Sequence, residues 1–331
     1  MPKTKSNSAA RAATVEFIEP MYAQLVEQLP EGNEWLYEVK FDGYRCLAAK
    51  DSTGVTLWSR RGNDFTAQFL NIAKACEELP ARTLLDGEIV AIDEDGRISF
   101  NLLQHHRSQA QALLFYAFDV LVHRGVKLVN EPLSKRRRVL SDLMKPLTRR
   151  ASSIALSESI DATPVELIQV VKEFGFEGVI AKRKNSCYES GKRSGAWLKY
   201  KVNKSQEFVI GGYTPGNPLD AVIVGYYEGD KLIYAAKVRN GFVPRLRRDV
   251  WQNLKGLEIA ACPFANLPEK KRTQFSLTRE QMKDCIWLKP HLVAQVEFTE
   301  WTPDGHLRPS KFVGLRDDKD PREVVREGPR F

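Results

Sequence analysis

Short apolar runs separated by turn residues open the ordered part of the chain. Residues 36–39, 46–50 and 55–59 are such runs, and the turn residues Asp42-Gly43 and the stretch 51–54 separate them. Apolar runs of this length between turn residues are typical of β-strands. We therefore predict that this part of the chain begins with several short strands.

We predict helices over three segments whose apolar residues recur at helical spacing: residues 66–79, 131–145 and 163–174. In the first segment, Phe69, Ile72 and Cys76 fall on one face. In the third segment, Pro164 stands at the start and Gly175 just after the end, and these two residue types commonly mark the beginning and the end of a helix.

Further apolar runs predict buried strands over residues 83–92, 113–122, 179–182 and 197–202. After Lys201 the chain becomes richer in β-forming residues. This composition predicts strands over residues 208–213, 221–227, 232–238 and 293–299. One amphipathic segment, residues 244–254, interrupts them and predicts a helix. Several short strands with one helix suggest a small barrel, for which an oligonucleotide-binding (OB) fold is a candidate. The predicted fold class is α+β.

The amino-acid composition changes near residues 202–205, where polar residues and lysines cluster. This change predicts a boundary between two domains. We expect a flexible basic tail over residues 1–14, a first domain over residues 15–203 and a second domain over residues 204–331. The tail is rich in Ser and Ala and lacks the apolar stretch of a signal peptide.

Composition narrows the class of protein only modestly. The chain has 331 residues, 43% of them hydrophobic and 28% charged, and Lys plus Arg outnumber Asp plus Glu by 50 to 42. This basic surplus fits a nucleic-acid binder about as well as an ordinary basic enzyme. The five cysteines are scattered and form no CxxC pair, so neither a disulfide framework nor a zinc site is expected. No apolar run approaches the roughly 20 residues of a membrane span, and we expect a cytoplasmic protein without membrane contact.

A lysine directly before a sharp turn is the first candidate for chemistry. Lys40 ends an apolar strand, and Asp42-Gly43 then turns the chain. An ordinary lysine has a pKa of about 10.4 and is a poor nucleophile at neutral pH. Desolvation or neighbouring cations lower such a pKa and make the amine reactive. Taken alone, the motif fits a solvated lysine beside a hairpin turn better than it fits a nucleophile.

Two acids near strands and one aromatic strand are weaker candidates. Glu88 interrupts a buried strand, where it either marks an irregularity or points into a cleft to bind a hydroxyl group or a metal. Glu177 stands at the mouth of another strand, where it is either a solvated cap or a ligand of a hard divalent ion. Phe118 lies on an aromatic strand and is either a core residue or a platform for a base.

Two lysines on one face of a strand form the last candidate. In the run from Trp197 to Lys201, alternation places Lys199 and Lys201 on the same side. Neighbouring ammonium groups repel each other unless an anion lies between them, and a triphosphate is such an anion. The alternative is an exposed edge strand protected by lysines.

As an ordered set, these motifs resemble the covalent nucleotidyltransferase family, which comprises ATP-dependent DNA ligases, RNA ligases and mRNA capping enzymes. The resemblance covers the chain from about Phe17 to its end. It implies an antiparallel-sheet nucleotidyltransferase (adenylation) domain followed by a small OB-fold β-barrel. It also implies that Lys40 forms a phosphoramidate with AMP. The other positions that match the family's substrate-binding residues are Glu38, Arg45, Arg60, Glu88, Phe118, Glu177, Lys199 and Lys201.

The resemblance gives each of these positions an expected role. Glu38 would read the adenine edge, Phe118 would stack on the base, and Glu88 would bind the ribose. Lys199 and Lys201 would contact the phosphates. Further roles implied in the same way are Arg45 as the arginine that follows the nucleophile motif, Arg60 near the phosphates of a nick, and Glu88 and Glu177 as metal-linked acids.

The C-terminal run 308–319 resembles the terminal motif of the bacterial and archaeal end-joining ligases, although here Pro309 follows Arg308 directly. The resemblance implies that Arg316 and Lys319 orient the pyrophosphate leaving group. It further implies ATP and Mg²⁺ or Mn²⁺ as cofactors, nicked double-stranded DNA as the partner, an end-binding protein such as Ku as a further partner, and a monomeric enzyme. The predicted function is that of an ATP-dependent DNA ligase.

Two other functions stay open on the sequence. One is RNA ligation or GTP-dependent capping, and the other is a non-catalytic nucleic-acid adaptor. A DNA ligase would bind DNA through basic surface, and residues 135–138 and 245–248 are candidates for it. Each run is equally typical of a solvated helix face.

Overall fold

The computed structural model describes residues 15–104, 112–148, 153–202, 204–269 and 275–327. The predicted basic tail, residues 1–14, lies outside this part of the chain. Among the described residues, no helix combines the length and the apolar character that crossing a membrane requires.

The strands, in chain order, are β1 (Gln24–Leu25), β2 (Trp35–Lys40), β3 (Tyr44–Lys50), β4 (Val55–Ser59), β5 (Thr83–Ile92), β6 (Ala112–His123), β7 (Val126–Lys127), β8 (Ile154–Leu156), β9 (Ser159–Ile160), β10 (Gly178–Arg183), β11 (Trp197–Lys201), β12 (Ser205–Pro215), β13 (Leu219–Glu228), β14 (Lys231–Val238), β15 (Glu258–Ile259), β16 (Ile286–Trp301) and β17 (Leu307–Leu315). The α-helices are α1 (Leu70–Cys76), α2 (Phe100–Gln104), α3 (Leu133–Thr148), α4 (Pro164–Glu173) and α5 (Pro244–Leu254).

Two sheets form the N-terminal part of the described chain. The first has the strand order β1-β11-β10-β2-β9, and the second has the order β4-β3-β5-β6-β7 with β8 parallel to β6. Apolar side chains from both sheets, including Leu47, Phe118 and Trp197, meet in one buried cluster. The two sheets therefore pack face to face, and the side chains at the edge of this cluster are held by both.

Helices cover the outer faces of these sheets. Leu167 and Val171 of α4 pack on the first sheet, and Ile72 of α1 and Leu140 of α3 pack on the second. Helix α4 begins with a capping box, in which Thr163 and Glu166 satisfy each other's backbone N–H groups. The helix predicted at 163–174 is thus confirmed almost to its ends.

The helix predicted over residues 66–79 is wrong in its extent, because only Leu70–Cys76 is helical. The Thr66 hydroxyl accepts a hydrogen bond from the backbone N–H of Leu57, and the Thr66 N–H donates to the Asp64 carboxylate. These local bonds hold the preceding residues in a turn, so the helix starts late although the apolar spacing began earlier.

The third sheet contains the strands after residue 204. Its order is β14-β13-β12-β16-β15, and β17 pairs with β16. An isolated bridge between Asn240 and Lys311 also links the segment after β14 to β17. Helix α5 packs on this sheet through Leu246, Val250 and Leu254. The predicted α+β class with a β-rich C-terminal part is confirmed, whereas the domain boundary near residue 203 stays a prediction.

The sequence did not predict strand β17. Its residues include Pro309 and three charged or polar side chains, and proline argues against a strand unless the strand lies at an edge. Of the strands given above, β17 pairs only with β16, so none of them pairs with its other side. This strand carries the chain toward Arg316 and the loop that follows.

Candidate active site

Lys40 and Glu177 lie side by side because of strand pairing. Lys40 is the last residue of β2 and is paired with Gly178, the first residue of β10, so Glu177 just before β10 comes beside it. Their side chains form an ion pair and are 19% and 13% exposed. The amine of Lys40 is therefore largely enclosed and is held by the carboxylate of Glu177. It is not the solvated lysine beside a hairpin turn that the motif alone suggested.

The turn after Lys40 is fixed to the second sheet. A Cβ atom at Gly43 would lie 2.2 Å from the backbone oxygen of Ile89, so only glycine allows this approach to β5. The ring of Phe41 stacks on Tyr116 of β6 with the centroids 4.3 Å apart. The spacing from Lys40 to Gly43 is thus the length of chain that connects one sheet to the other.

Arg45 is anchored beneath the cavity. Its guanidinium donates to both oxygens of Asp86 at 2.6 Å, and the Tyr188 hydroxyl donates to the same carboxylate at 2.6 Å. Arg45 is paired with Glu88 across β3 and β5. Of the two acids in the Asp86-Gly-Glu88 run, Asp86 is therefore used to hold Arg45, while Glu88 lines the cavity.

Phe118 lies in the cavity wall among cations. The guanidinium carbon of Arg45 lies 4.6 Å from the centroid of its ring, and the Lys182 nitrogen lies 4.5 Å from it. Trp197 packs edge-on against it at 6.1 Å. The position suits an aromatic ring at the base end of a nucleotide site, and the stacking role of Phe118 stays a prediction.

Glu38 is held by a buried network. Lys182 donates to both oxygens of its carboxylate at 3.0 Å, and the hydroxyl of Ser157 donates to it at 2.9 Å. Arg137 approaches to 3.5 Å. Burial lowers the pKa of Lys182, and the carboxylate of Glu38 opposes this shift. The carboxylate predicted to read adenine is therefore fixed in place before any ligand arrives.

The paired lysines of β11 face the cavity together. Lys199 lies 2.8 Å from Glu327, and Lys201 lies 3.7 Å from Glu177. Burial and the charge of Lys201 lower the pKa of Lys199 to about 8. Although burial alone would lower it, Glu327 and Glu177 raise the pKa of Lys201. The predicted alternation thus places two cations on one side, and they are enclosed rather than exposed at an edge.

Arg316 and Lys319 reach the cavity from the loop after β17. The guanidinium of Arg316 donates to both oxygens of Asp318 at 2.8 Å and lies 3.4 Å from the backbone oxygen of Gly43. Lys319 lies 2.8 Å from Glu207. The C-terminal sheet therefore closes over the turn that carries Lys40.

Arg60 follows β4 and lies at another side of the cavity. Its guanidinium carbon lies 4.4 Å from the centroid of the Tyr22 ring, and its nearest acid is Glu323 at 3.9 Å. All the sequence-predicted site residues line this one cavity: Glu38, Lys40, Arg45, Arg60, Glu88, Phe118, Glu177, Lys199, Lys201, Arg316 and Lys319. The roles assigned to them individually stay predictions.

The acids of the cavity differ in their affinity for protons. Burial raises the pKa of Glu88 to about 7, and burial together with Glu177 raises the pKa of Asp42 to about 6. Burial alone would raise the pKa of Glu177, but Lys40 and Lys201 lower it. Of these three acids, Glu177 is therefore the one that stays ionised most readily, because Lys40 and Lys201 lie beside it.

Glu88→Gln will stabilise the protein at pH 8 but not at pH 5. A carboxyl whose pKa is raised by folding contributes stability that is present at low pH and is lost as the pH rises through about 7. The neutral amide avoids that loss, so we expect a gain of about 1–3 kcal/mol at pH 8. Thermal unfolding at both pH values measures it, with the exposed Glu280→Gln as control. Equal gains at both pH values would contradict this origin.

Several cavity residues were not predicted from the sequence: Tyr22, Asp42, Lys182, Arg193, Trp197, Glu207, Gln295 and Asp318. Lys182 had a usable signal, because the alternation that placed Lys199 and Lys201 on one face also places Ile180 and Lys182 on one face of β10. Glu207 and Asp318 had none, since they come to the cavity only through packing between the sheets.

The basic run at residues 135–138 is not a continuous DNA-binding surface, which corrects one of the two interpretations of this run. Arg136 is fully buried and pairs with Asp119 at 2.8 Å. Arg137 donates to the backbone oxygen of Ser157 at 2.7 Å. Only Lys135 and Arg138 are exposed, because successive residues of a helix point in different directions.

Arg247 of the second basic run likewise turns inward and donates to the backbone oxygen of Asp220 at 3.2 Å, whereas Arg245 and Arg248 are exposed. Four basic residues of the two runs, Lys135, Arg138, Arg245 and Arg248, are thus available at the surface. Their contact with DNA stays a prediction.

Two family models match the chain. The model described as ATP dependent DNA ligase domain matches residues 20–201, and the model described as ATP dependent DNA ligase C terminal region matches residues 216–319. The matched ranges contain all the site residues that were predicted from the sequence, whereas Glu207 lies between the two ranges.

Known proteins resemble the chain along most of its length. The multifunctional non-homologous end joining protein LigD of Pseudomonas aeruginosa is 34% identical over 338 residues, which cover 99% of this chain and 39% of the relative. The bifunctional non-homologous end joining protein LigD of Bacillus subtilis is 33% identical over 222 residues, which cover 60% of this chain and 36% of the relative. The chain thus spans well under half the length of these relatives.

A solved structure, mycobacterial DNA ligase D complexed with ATP and MES, matches with a TM-score of 0.69 at 34% sequence identity. The match covers 94% of this chain and 98% of that chain. A match of this extent includes both the N-terminal sheets and the C-terminal sheet.

Proposed function

The chain belongs to the ATP-dependent DNA ligase family, and from this premise we propose that it seals nicks between a 5′-phosphate and a 3′-hydroxyl in double-stranded DNA with ATP. The observation that carries the proposal is the enclosure of the Lys40 amine in one cavity with further cations, among them Lys199, Lys201, Arg316 and Lys319. A nucleophilic amine facing a cluster of cations suits attack on a polyphosphate.

In the first step, the nitrogen of Lys40 attacks the α-phosphorus of ATP. A P–N bond forms, the P–O bond to the β-phosphate breaks, and pyrophosphate leaves. Lys199 and Lys201 would stabilise the triphosphate charge, and Arg316 and Lys319 reach the same cavity from the loop after β17. Catalysis of this kind consists mostly of positioning and electrostatic stabilisation.

Carboxylates of the cavity fit a divalent metal bound together with the nucleotide. Mg²⁺ prefers oxygen ligands and is commonly held by one or two carboxylates plus substrate phosphates. No group of three or more His, Cys, Asp or Glu side chains that could hold a metal lies among the described residues. Glu88 and Glu177 would each offer oxygens on the cavity wall. Bound there, Mg²⁺ or Mn²⁺ would neutralise part of the phosphate charge.

In the later steps, AMP passes from Lys40 to the 5′-phosphate of the nick, and the 3′-hydroxyl then attacks that phosphate and releases AMP. Arg60, at the side of the cavity, would bind a phosphate of the nick. The names of the relatives support a role in DNA end joining. We extend this proposal to a monomeric enzyme that acts in the cytoplasm and works with an end-binding protein such as Ku.

The proposal is tested by sealing of a labelled, singly nicked DNA duplex in the presence of Mg²⁺. We expect ATP-dependent joining, with little joining when GTP replaces ATP or when the nicked strand is RNA. Preferred use of GTP or of nicked RNA would favour a capping enzyme or an RNA ligase instead. Tight DNA binding without any joining or labelling of the protein would favour a non-catalytic adaptor.

A further inference from the structure

The segment after Lys319 brings Glu327 back to the two cavity lysines of β11. Val324 is buried in the core of the C-terminal sheet, and its backbone oxygen accepts a hydrogen bond from the N–H of Tyr227 at 2.8 Å. Gln206 then fixes the next residues: its amide nitrogen donates to the backbone oxygen of Val325, and its oxygen accepts from the N–H of Glu327 at 2.8 Å. These contacts determine where the side chain of Glu327 points.

The carboxylate of Glu327 lies on the two lysines of β11. One oxygen accepts a hydrogen bond from Lys199 at 2.8 Å, and the other lies 3.6 Å from the nitrogen of Lys201. The side chain is 15% exposed. Its second oxygen is buried and has no hydrogen-bond partner among the described residues. The carboxylate thus offsets part of the charge of the two cations and fills their hydrogen-bonding capacity incompletely.

Two other acids of the same segment contact cations near the cavity. Asp320 lies 2.7 Å from Arg61, and Glu323 lies 3.9 Å from Arg60. Each of the three acids therefore faces a cation of the N-terminal part of the chain. In these positions the segment presents carboxylates to groups that suit phosphates.

Glu327 and a triphosphate cannot both be bound closely by Lys199 and Lys201. Without an anion, the two ammonium groups would repel each other inside a buried site, where charge interactions are strong. Glu327, which lies on both lysines, and Glu177, which lies beside Lys201, reduce this repulsion when no nucleotide is present. Any polyphosphate that binds these lysines must break the ion pairs with Glu327, and its apparent affinity is lowered accordingly.

We propose that Glu327 is an internal competitor of the ATP triphosphate at Lys199 and Lys201, which ATP displaces when it binds. This inference rests on the proposed function. After pyrophosphate has left, the carboxylate returns to the lysines and competes with pyrophosphate in the same way. It thereby opposes the reverse step, in which pyrophosphate attacks the phosphorus of lysyl-AMP, breaks the P–N bond and regenerates ATP.

Glu327→Gln tests the proposal, because the amide keeps the size of the side chain and removes its charge. We expect the KM for ATP in self-adenylation to fall about three- to tenfold with little change in kcat, since the fraction of free lysine pairs rises. The KM for pyrophosphate in removal of AMP from the adenylated protein should fall by a similar factor. Glu280→Gln, at an exposed site of the same C-terminal part, should change neither value.

An unchanged or higher KM for ATP in Glu327→Gln would overturn the proposal, because it would make Glu327 a residue that merely positions the lysines. Glu327→Asp keeps the charge but shortens the side chain, and it should give a KM between those of wild type and the glutamine variant. A KM below that of Glu327→Gln would contradict the competition.

A binding measurement separates this proposal from the proposed function. Calorimetry with inorganic triphosphate needs no reaction at Lys40, and Glu327→Gln should bind it about three- to tenfold more tightly than wild type. If wild type fails to become adenylated while this difference is found, the proposed function fails and the competition stands. Equal binding of triphosphate by the two proteins overturns the competition even if adenylation is normal.

Discussion

Replacing Lys40 with alanine will abolish transfer of AMP from ATP to the protein. The amine lies at the end of β2, ion-paired with Glu177, and no other lysine of the cavity occupies the same turn. Removal of a nucleophile that forms a covalent intermediate leaves no alternative route, so we expect a loss of at least about a thousandfold. Incubation with ATP labelled at the α-phosphate, followed by denaturing electrophoresis, measures the transfer.

Lys40→Arg is the matched control for this change. The guanidinium keeps the positive charge opposite Glu177, but it is a far weaker nucleophile because it stays protonated. We expect this variant to unfold at the wild-type temperature and to remain unlabelled. Labelling of either variant at the wild-type rate would disprove the assignment of Lys40. The same two proteins should still seal a nick that already carries AMP, because that last step needs no lysyl-AMP.

Arg316→Ala will slow self-adenylation by about a hundredfold and will affect the sealing of a pre-adenylated nick much less. The guanidinium lies 3.4 Å from the backbone oxygen of Gly43, in the turn that follows Lys40. From this position it would stabilise the charge of the departing pyrophosphate, and pyrophosphate takes part only in the first step. Single-turnover rates of the two reactions measure the difference.

The design of this experiment has to account for Asp318. Arg316 and Asp318 form a buried ion pair, and removing one member leaves a charge alone in the interior. The double variant R316A/D318N leaves neither charge unpaired and separates lost stability from lost catalysis. Arg308→Ala, at an exposed position of β17, serves as the control. An equal loss in both reactions would show that Arg316 does not act on the leaving group.

The fold was predicted from the sequence where local patterns are strong. The strand before Lys40, the turn after it and the strand Thr83–Ile92 were predicted with nearly correct ends, because apolar runs and turn residues depend only on neighbours in the chain. The late start of α1 and the strand β17 were missed. Hydrogen bonds of Thr66 with Leu57 and Asp64 outweighed the apolar spacing at the start of α1, and β17 contains a proline, which argues against a strand in a local pattern.

The candidate site divides in the same way. Lys199 and Lys201 were placed on one face by strand alternation, which is a property of the sequence itself, whereas Lys40 was singled out by the ordered set of motifs that resembles the family. The pairing of these lysines was not predicted, although Glu177 itself was a predicted site residue. Glu177 lies 137 positions from Lys40, and Glu327 lies 128 positions from Lys199. Such pairs depend on the register of strands and on the packing of one sheet against another.

By itself, the sequence determined which residues are candidates for the chemistry, most of the strands that carry them and their order along the chain. The tertiary structure alone decided that Asp86 anchors Arg45 while Glu88 faces the cavity, and that Arg136 is buried instead of facing DNA. It alone decided that Glu327 lies on the lysines of β11. The physical reason is that local propensity fixes the direction of a side chain from its element, whereas its partner is chosen by which elements pack together.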